Sequence, residues 1–445
     1  MATVPSMEAY GGPLAGWRAR AEGAMASIPL VAAVVAAATI AVGLWVHESG
    51  TTLGAPLPPF NANWDPDVSP HALIAVALLT VAVIAGPALL SRPGSPLAFA
   101  GAVFALGLAV RLALGAARDG PERWSAVFGS DGQAQNEYRP ALAALDPGVG
   151  TFLDRFAEVA LTLPIHPSAH PPGVLLTLHW LGIDGAGGAT ALAILAGGLT
   201  IPLTYLLARQ LVDERRARTA ALLVLLAPAS LLYGVTSFDA LFAGLGTAAA
   251  ALLVSRHRLA RAAGGPALAL ASFFSFALLA VGAWAVLVTA LRRGVGPALR
   301  LALWAGSATL GAYLVLYALT GFDPIGAIQA ASQAYELGIS QARPYGYWLF
   351  GSPVAFGVAI GLPLAWYALR ALAGRDPTAT ALAVVVAISA VLGYTKAETE
   401  RIWLFMLPLA AVAAVTALPQ QRVQLVLGAL AVQAVAVELL FWTIW

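Results

Sequence analysis

Apolar stretches of about twenty residues, the length that crosses a hydrocarbon core, recur along almost the whole chain between short polar links. They lie at 26–46, 71–91, 96–116, 189–211, 217–235, 238–255, 299–320, 346–369, 377–394, 401–418 and 423–443. Two stretches fit less simply. Residues 171–183 are apolar but too short to span comfortably, and are read as re-entrant. Residues 266–290 begin and end beside basic clusters, which predicts two short helices folded as a membrane hairpin. The predicted fold class is an all-α polytopic membrane protein: a single integral membrane domain over 1–445, about 13 transmembrane helices (11 to 13), and loops carrying short juxtamembrane helices.

Composition agrees. The chain is 60% hydrophobic and only 10% charged, against about 25% charge in soluble domains. A formal net charge of +2 argues against a nucleic-acid partner. The absence of cysteine excludes disulfides, thiolate metal sites and cysteine catalysis. No small-residue cleavage site follows the first apolar run, so it reads as a retained helix.

Charge placement orients the chain. Sixteen of the 24 basic residues fall at Arg18/Arg20, Arg92, Arg209–Arg218, Arg256–Arg261, Arg292–Arg300, Arg370/Arg375 and Arg422. That side is expected to be cytoplasmic. Arg118, Arg123, Arg139, Arg155, Arg343, Lys396 and Arg401 lie opposite, with most of the acids. Arg111, inside a predicted helix, is expected to snorkel outward. The expected location is therefore the plasma membrane, multi-pass, with the acidic loops facing the periplasmic or extracellular side.

The longest outward loop, 117–170, is the centre of the functional reading. The stretch 119–173 holds seven of 22 acids and two of six histidines, and a loop this long in a compact protein is usually functional or disordered. Asp131 either caps a short helix or serves as a general base toward a sugar hydroxyl. Glu137 and Tyr138 follow as acceptor-orienting candidates, or as solvated loop residues. A helix interrupted at Pro140 and ended by Asp146-Pro147-Gly148 is expected next. Residues 152–163 set Phe152, Phe156, Val159 and Leu163 against Asp154, Arg155 and Glu158, an amphipathic surface pattern. His166 and His170 are four apart, but Pro167, Pro171 and Pro172 forbid the continuous helix a zinc pair would use. Hydrogen bonding to sugar or phosphate suits them better. Asp239, in SFDALF, either caps a helix together with Ser237 or faces a cavity. A second outward loop, 321–345, ends in QARPYGYW with Arg343 and Tyr345. A short third loop holds Lys396, Glu398, Glu400 and Arg401, where Arg401 either grips a phosphate bidentately or pairs locally with Glu398 or Glu400.

This layout resembles the GT-C superfamily of membrane glycosyltransferases, which use polyprenyl-phosphate sugars. The likeness rests on Asp131 followed by Glu137-Tyr138, on His170-Pro171-Pro172 leading into an apolar segment, on Asp239 opening a helix, and on Arg401 in ERIWLFMLPL. It departs in having Gly132 after the loop acid, where many members have adjacent acids, and in placing the loop after the third predicted helix. The resemblance implies an inverting transfer from a polyprenyl-phosphate sugar donor to a glycan or glycolipid acceptor, with Asp131 as base and the lipid phosphate as leaving group. With it, the substrate-binding candidates are Glu137, Tyr138, His170, Asp239 and Arg401, joined by His166, Arg343, Tyr345, Lys396 and Glu400 from the outward loops themselves; membrane lipids are the expected surroundings, no cofactor is fixed, and divalent-metal dependence, which varies in the superfamily, stays open. The competing expectations are a polytopic transporter or lipid-linked glycan flippase, and a glycan polymerase or ligase.

Overall fold

The computed structural model of the protein describes residues 13–91 and 94–443, and these are predominantly helical. Of the basic positions used for orientation, Arg92 and the side chains of Arg18 and Arg20 lie outside the described part. Among the described residues seven helices are long and apolar enough to cross a membrane: Ser27–Glu48, His71–Ser91, Pro96–Gly115, Ala186–Leu211, Phe276–Arg293, Val295–Thr320 and Gln420–Leu440. Two bent helix pairs raise the number to nine if each is one span. Asp239–Leu253, Pro377–Leu392 and Leu404–Ala417 are apolar but shorter. The protein is thus a polytopic helical protein, with fewer full-length spans than the apolar stretches predict.

The difference lies in two predicted spans that are short, Asp239–Leu253 and Pro377–Leu392, and in three that break. Residues 217–235 divide into Glu214–Leu226 and Pro228–Thr236, bent by 58°. Ala227 is extended there (φ −63°, ψ 132°), as a residue before proline prefers. Residues 346–369 divide into Tyr345–Ala359 and Leu362–Ala373, bent by 115°. The turn uses Gly361 at φ +103°, a conformation that costs glycine little and other residues much. An unmet backbone group is expensive in an apolar setting, and Gln433 of the last helix meets two here. Its Oε1 accepts from Leu362 N at 2.8 Å, and its Nε2 donates to Val358 O at 2.8 Å. Residues 401–418 divide into Thr399–Ile402, a 3-10 turn at Leu404–Met406 and Leu407–Ala417.

Ends and caps follow local chemistry. Ser95, Asp213, Asp323 and Asp376 each accept a backbone N–H of the helix they open, worth about 1 kcal/mol apiece. Residues 217–236 and 404–415 are buried on every face and form the bundle's centre, as helices apolar all round should. The peripheral Val295–Thr320 helix instead exposes Leu299, Leu303, Leu310, Leu314 and Leu319, a surface that a soluble monomer does not present. Arg111 does not snorkel. It is buried, donates to Ser230 Oγ at 2.6 Å, and lies over Gly234, where a Cβ would come within 2.9 Å of its Nε.

The predicted final helix stops at Leu440. Residues Phe441–Thr443 pair antiparallel with Ala62–Trp64, with Ala62 opposite Thr443 and Trp64 opposite Phe441. This two-stranded ladder ties the first long loop to the end of the chain.

The loop after Pro96–Gly115 is a run of short helices rather than one. Asp131 sits at the N-cap of a 3-10 turn, Gly132–Asn136, and a second, Arg139–Leu145, restarts at Pro140. Two arginines pin the loop to the bundle. Arg118 donates to Asp65 O, Asp65 Oδ2 and Glu438 O; Arg139 donates to Phe128 O, Gly129 O and Asp184 O. Residues 149–162 break at Arg155 into three turns. The amphipathic assignment survives the break: Phe152 and Phe156 are buried while Asp154, Arg155 and Glu158 are exposed. Gly173–Trp180 has only 8 residues, about 12 Å of helix.

Candidate functional site

Arg401 is the centre of a polar cluster at the loop end of the bundle. The Thr399–Ile402 turn presents its guanidinium to the start of the Asp239–Leu253 helix, where Nη1 donates to Asp239 Oδ2 and, at 3.5 Å, to Ser237 Oγ. Nη2 donates to Glu398 Oε2 at 2.9 Å. Glu398 uses its other oxygen to accept from Arg343 Nη2 at 2.6 Å, so one carboxylate bridges two arginines. Arg343 is filled in turn by Gly54 O and Lys396 O. Asp239, Arg343 and Arg401 are 4%, 3% and 5% exposed. At such depth an ion pair persists only with its remaining hydrogen bonds met.

The long loop supplies the second wall. Glu137, 3% exposed, places Oε1 3.7 Å from His166 Nε2, and the same nitrogen is 3.3 Å from Gln133 Nε2. Tyr138 sets its ring edge-on to Phe238 with centroids 5.3 Å apart, and His170 lies 5.1 Å from the Phe242 ring. Aromatic contacts of this kind contribute about 0.5–1.5 kcal/mol each and hold the loop over the helix start.

Electrostatics divides these groups. Burial pushes the Glu137 carboxyl up to about 8, with Arg401 pulling the other way and Asp239 adding to the rise. Burial lowers His170 to about 4 and holds His166 well below its usual range. At neutral pH this region therefore presents a protonated carboxyl and two neutral imidazoles. Glu398 goes the opposite way. Burial works against its charge, yet Arg401 and Arg343 hold it down at about 2. Arg401 keeps its charge against burial because Asp239 and Glu398 outweigh it.

Lys396 lies at the rim, half-buried, with Nζ donating to Ser340 O at 3.0 Å and lying 5.8 Å from the Tyr335 ring. Its backbone N–H donates to the Tyr335 hydroxyl. Counting it, three cations face two carboxylates, an excess of one positive charge. The loop that carries it is strained: Ala397 and Glu398 adopt φ +63° and +57°, a conformation costly for non-glycine residues and found disproportionately at functional sites.

Several expectations change on this geometry. Asp131 is exposed and caps nothing with its side chain; its link to the cluster is Gln133, two residues on. Asp239 caps nothing either, because its carboxylate is taken by Arg401 and Ser237 Oγ. The open guanidinium fork expected of Arg401 is occupied by two carboxylates. Glu400 does not pair with it. Its Oε1 accepts from Asn61 N at 2.7 Å, and it faces a separate apolar cavity of about 180 Å³ lined by Phe60, Pro228, Val358, Ala359 and Phe441. Burial raises Glu400 to about 7. Tyr345 stands apart, exposed, with its hydroxyl donating to Val391 O. His166 and His170 are brought to the cluster but turned to different partners, and among the described residues no three acidic or histidine side chains are gathered as a metal site. Gln133, Ser340 and Tyr335 were not singled out in the sequence; only the three-residue spacing of Glu398 and Arg401 marked that pair beforehand.

The chain matches no family model, no curated protein and no solved structure in comparison with known proteins.

Proposed function

We propose that the protein is a membrane glycosyltransferase that moves a sugar from a polyprenyl-phosphate donor to a glycan or glycolipid acceptor, with inversion, at the outer face of the plasma membrane. In this reading the broken and short apolar helices complete about 13 crossings and the loop end faces outward. The observation that carries the proposal is the convergence, at one end of the bundle, of Glu137, His166, His170, Asp239, Arg343, Lys396, Glu398 and Arg401 from four separated loops. Their combination of an excess cation, neutral hydrogen-bonding groups and a nearby exposed carboxylate suits a phosphate, a sugar and an acceptor hydroxyl.

Roles follow from exposure and charge. A base must be reachable by the acceptor and not tied up by internal partners. Asp131 meets this requirement: it is exposed, and among the described residues its side chain makes no hydrogen bond or ion pair. Glu137, protonated at neutral pH, serves as a hydrogen-bond donor to the sugar or phosphate beside His166. Lys396 makes the first contact with the donor phosphate, since only one of its N–H groups is engaged. Arg401 and Arg343 are positioning residues that hold the 396–401 loop through Glu398. Asp131 takes the acceptor proton as the acceptor oxygen attacks the anomeric carbon and the bond to the lipid phosphate breaks. The departing phosphate gains charge, which Lys396 stabilises more in the transition state than in the ground state.

Transfer assayed with purified protein and a labelled polyprenyl-phosphate sugar tests this reading; no transfer from a panel of such donors to lipid-linked acceptors rejects it. One observation favours transport as a second reading: the two bent helix pairs, at Pro228 and at Val358–Ala359, border the same apolar cavity, as the broken helices of transporters do. Movement of a lipid-linked glycan across proteoliposomes without any transfer would select it.

A further inference from the structure

A second charged site lies at the opposite end of the bundle. The Asp239–Leu253 helix runs from the polar cluster to Val254, a distance of about 22 Å at 1.5 Å per residue. There Val254 joins Gln210, Leu211, Arg256, Val288, Thr289, Arg292 and Arg293 around a cavity of about 170 Å³. One water's share of liquid volume is about 30 Å³, so the space accommodates a phosphate group. Three guanidinium groups border it.

Two of the three are fixed in place by the end of the Ala186–Leu211 helix. Arg256 Nε donates to Gln210 O at 3.0 Å, and Arg292 Nη1 donates to Leu211 O at 2.8 Å. Those bonds cap a helix C-terminus, and that role alone accounts for one N–H on each residue. Arg293 makes no such bond, yet it borders the same cavity. Like charges crowd here: Arg256 and Arg293 both act on Arg292, and Asp376 is the acid that opposes them. The Asp376 carboxylate is already accepting from Thr378 N and Ala379 N. Arginines assembled in this way, with no carboxylate among the cavity's lining residues, favour an oxyanion that accepts two hydrogen bonds from a planar fork.

The surroundings identify the source of that oxyanion. Leu259, Leu291 and Val295 flank the arginines and are 77%, 52% and 78% exposed. A free ion has no use for this apolar rim, whereas a lipid lays its chains there with its phosphate in the basic cavity. Basic pockets between membrane helices bind anionic head groups in this manner. We propose that the cavity between the Ala186–Leu211 helix and the Phe276–Arg293 segment is a binding site for the phosphate of an anionic glycerophospholipid, clamped by Arg256, Arg292 and Arg293. The site does not depend on the proposed transferase activity.

The test uses the full chain in neutral detergent, titrated with short-chain phosphatidylglycerol, with phosphatidylcholine of the same chain length, and with inorganic phosphate. Thermal stability and native mass spectra are the readouts. Phosphatidylglycerol is expected to stabilise the protein and remain bound, with phosphatidylcholine and inorganic phosphate at least about tenfold weaker. Arg293→Gln, which removes no internal hydrogen bond, is expected to weaken phosphatidylglycerol about tenfold, in line with loss of one charge-assisted contact. Arg256→Gln/Arg292→Gln/Arg293→Gln should abolish the specific adduct. Unchanged binding in Arg293→Gln and the triple variant overturns the proposal. Equal protection by inorganic phosphate overturns the lipid assignment.

Discussion

Arg401 and Asp239 stand 162 residues apart in the chain and form a buried ion pair at the centre of the polar cluster. Arg401 does not pair with its sequence neighbour Glu400; its Nη2 donates instead to Glu398. Removing one member of such a pair leaves an uncompensated buried charge, at a cost of about 3–5 kcal/mol. Asp239→Leu should therefore lower the melting temperature strongly in a detergent thermostability assay. The double variant Asp239→Leu/Arg401→Leu should be less destabilised than the sum of its parts. Additive losses would mean that the two side chains are not energetically coupled.

Asp131→Asn should behave in the opposite way. Asp131 is exposed and makes no side-chain cap, so its stability effect should stay within about 0.5 kcal/mol. As the proposed base, its loss should lower transfer by about 10²–10⁴-fold. A variant that keeps more than about a tenth of wild-type activity in the labelled-donor assay assigns the base elsewhere.

Glu137 makes stability depend on pH. Its carboxyl is raised to about 8 by burial, well above its value in an unfolded chain, about 4.3. The folded protein therefore binds the extra proton, and this contribution is complete below about 4.3 and lost as pH rises through about 8. Melting temperature should decline between pH 6 and 9, and Glu137→Gln, a permanently neutral analogue, should flatten that decline. An identical slope in the variant would show that another group titrates.

Lys396→Ala should raise the apparent KM for the polyprenyl-phosphate donor about tenfold, with Lys396→Arg restoring part of it. Its ammonium is half-buried at the rim, and its hydrogen bond is to a carbonyl rather than to a carboxylate, so thermostability should change little. A change in thermostability with no change in donor KM would assign it to loop structure alone.

The absence of native cysteine allows single-cysteine labelling of the hairpin. Arg256 and Arg292 both reach the last carbonyls of the Ala186–Leu211 helix, which puts the two flanks of residues 264–293 at one end of the bundle. Leu259→Cys and Val295→Cys should react with an impermeant maleimide from the same side of a sealed vesicle. Labelling from opposite sides would overturn that topology and the placement of every later loop.

Long-range apolarity made the helical, polytopic character legible in the sequence, because twenty-residue apolar runs have few other stable solutions in water or lipid. Local chemistry also located the restart at Pro140 and the buried face of Phe152 and Phe156. Periodicity could not reveal the breaks at Ala227 and Gly361, since both lie inside apolar runs and a bend is tolerated only where a distant group such as Gln433 meets the freed backbone. The last three residues of the predicted final helix pair instead with Ala62–Trp64, a contact set by residues nearly the whole chain away.

The candidate site divides in the same way. Residue type and order brought Glu137, His166, His170, Asp239, Lys396 and Arg401 into consideration one by one. Only the tertiary structure set their partners and their exposure. It turned Arg401 toward Asp239 rather than Glu400, left Asp131 exposed and buried Glu137. Whether a carboxyl is a base, a donor or half of an ion pair depends on its desolvation and on charges within a few ångströms, and in this protein those charges come from other loops.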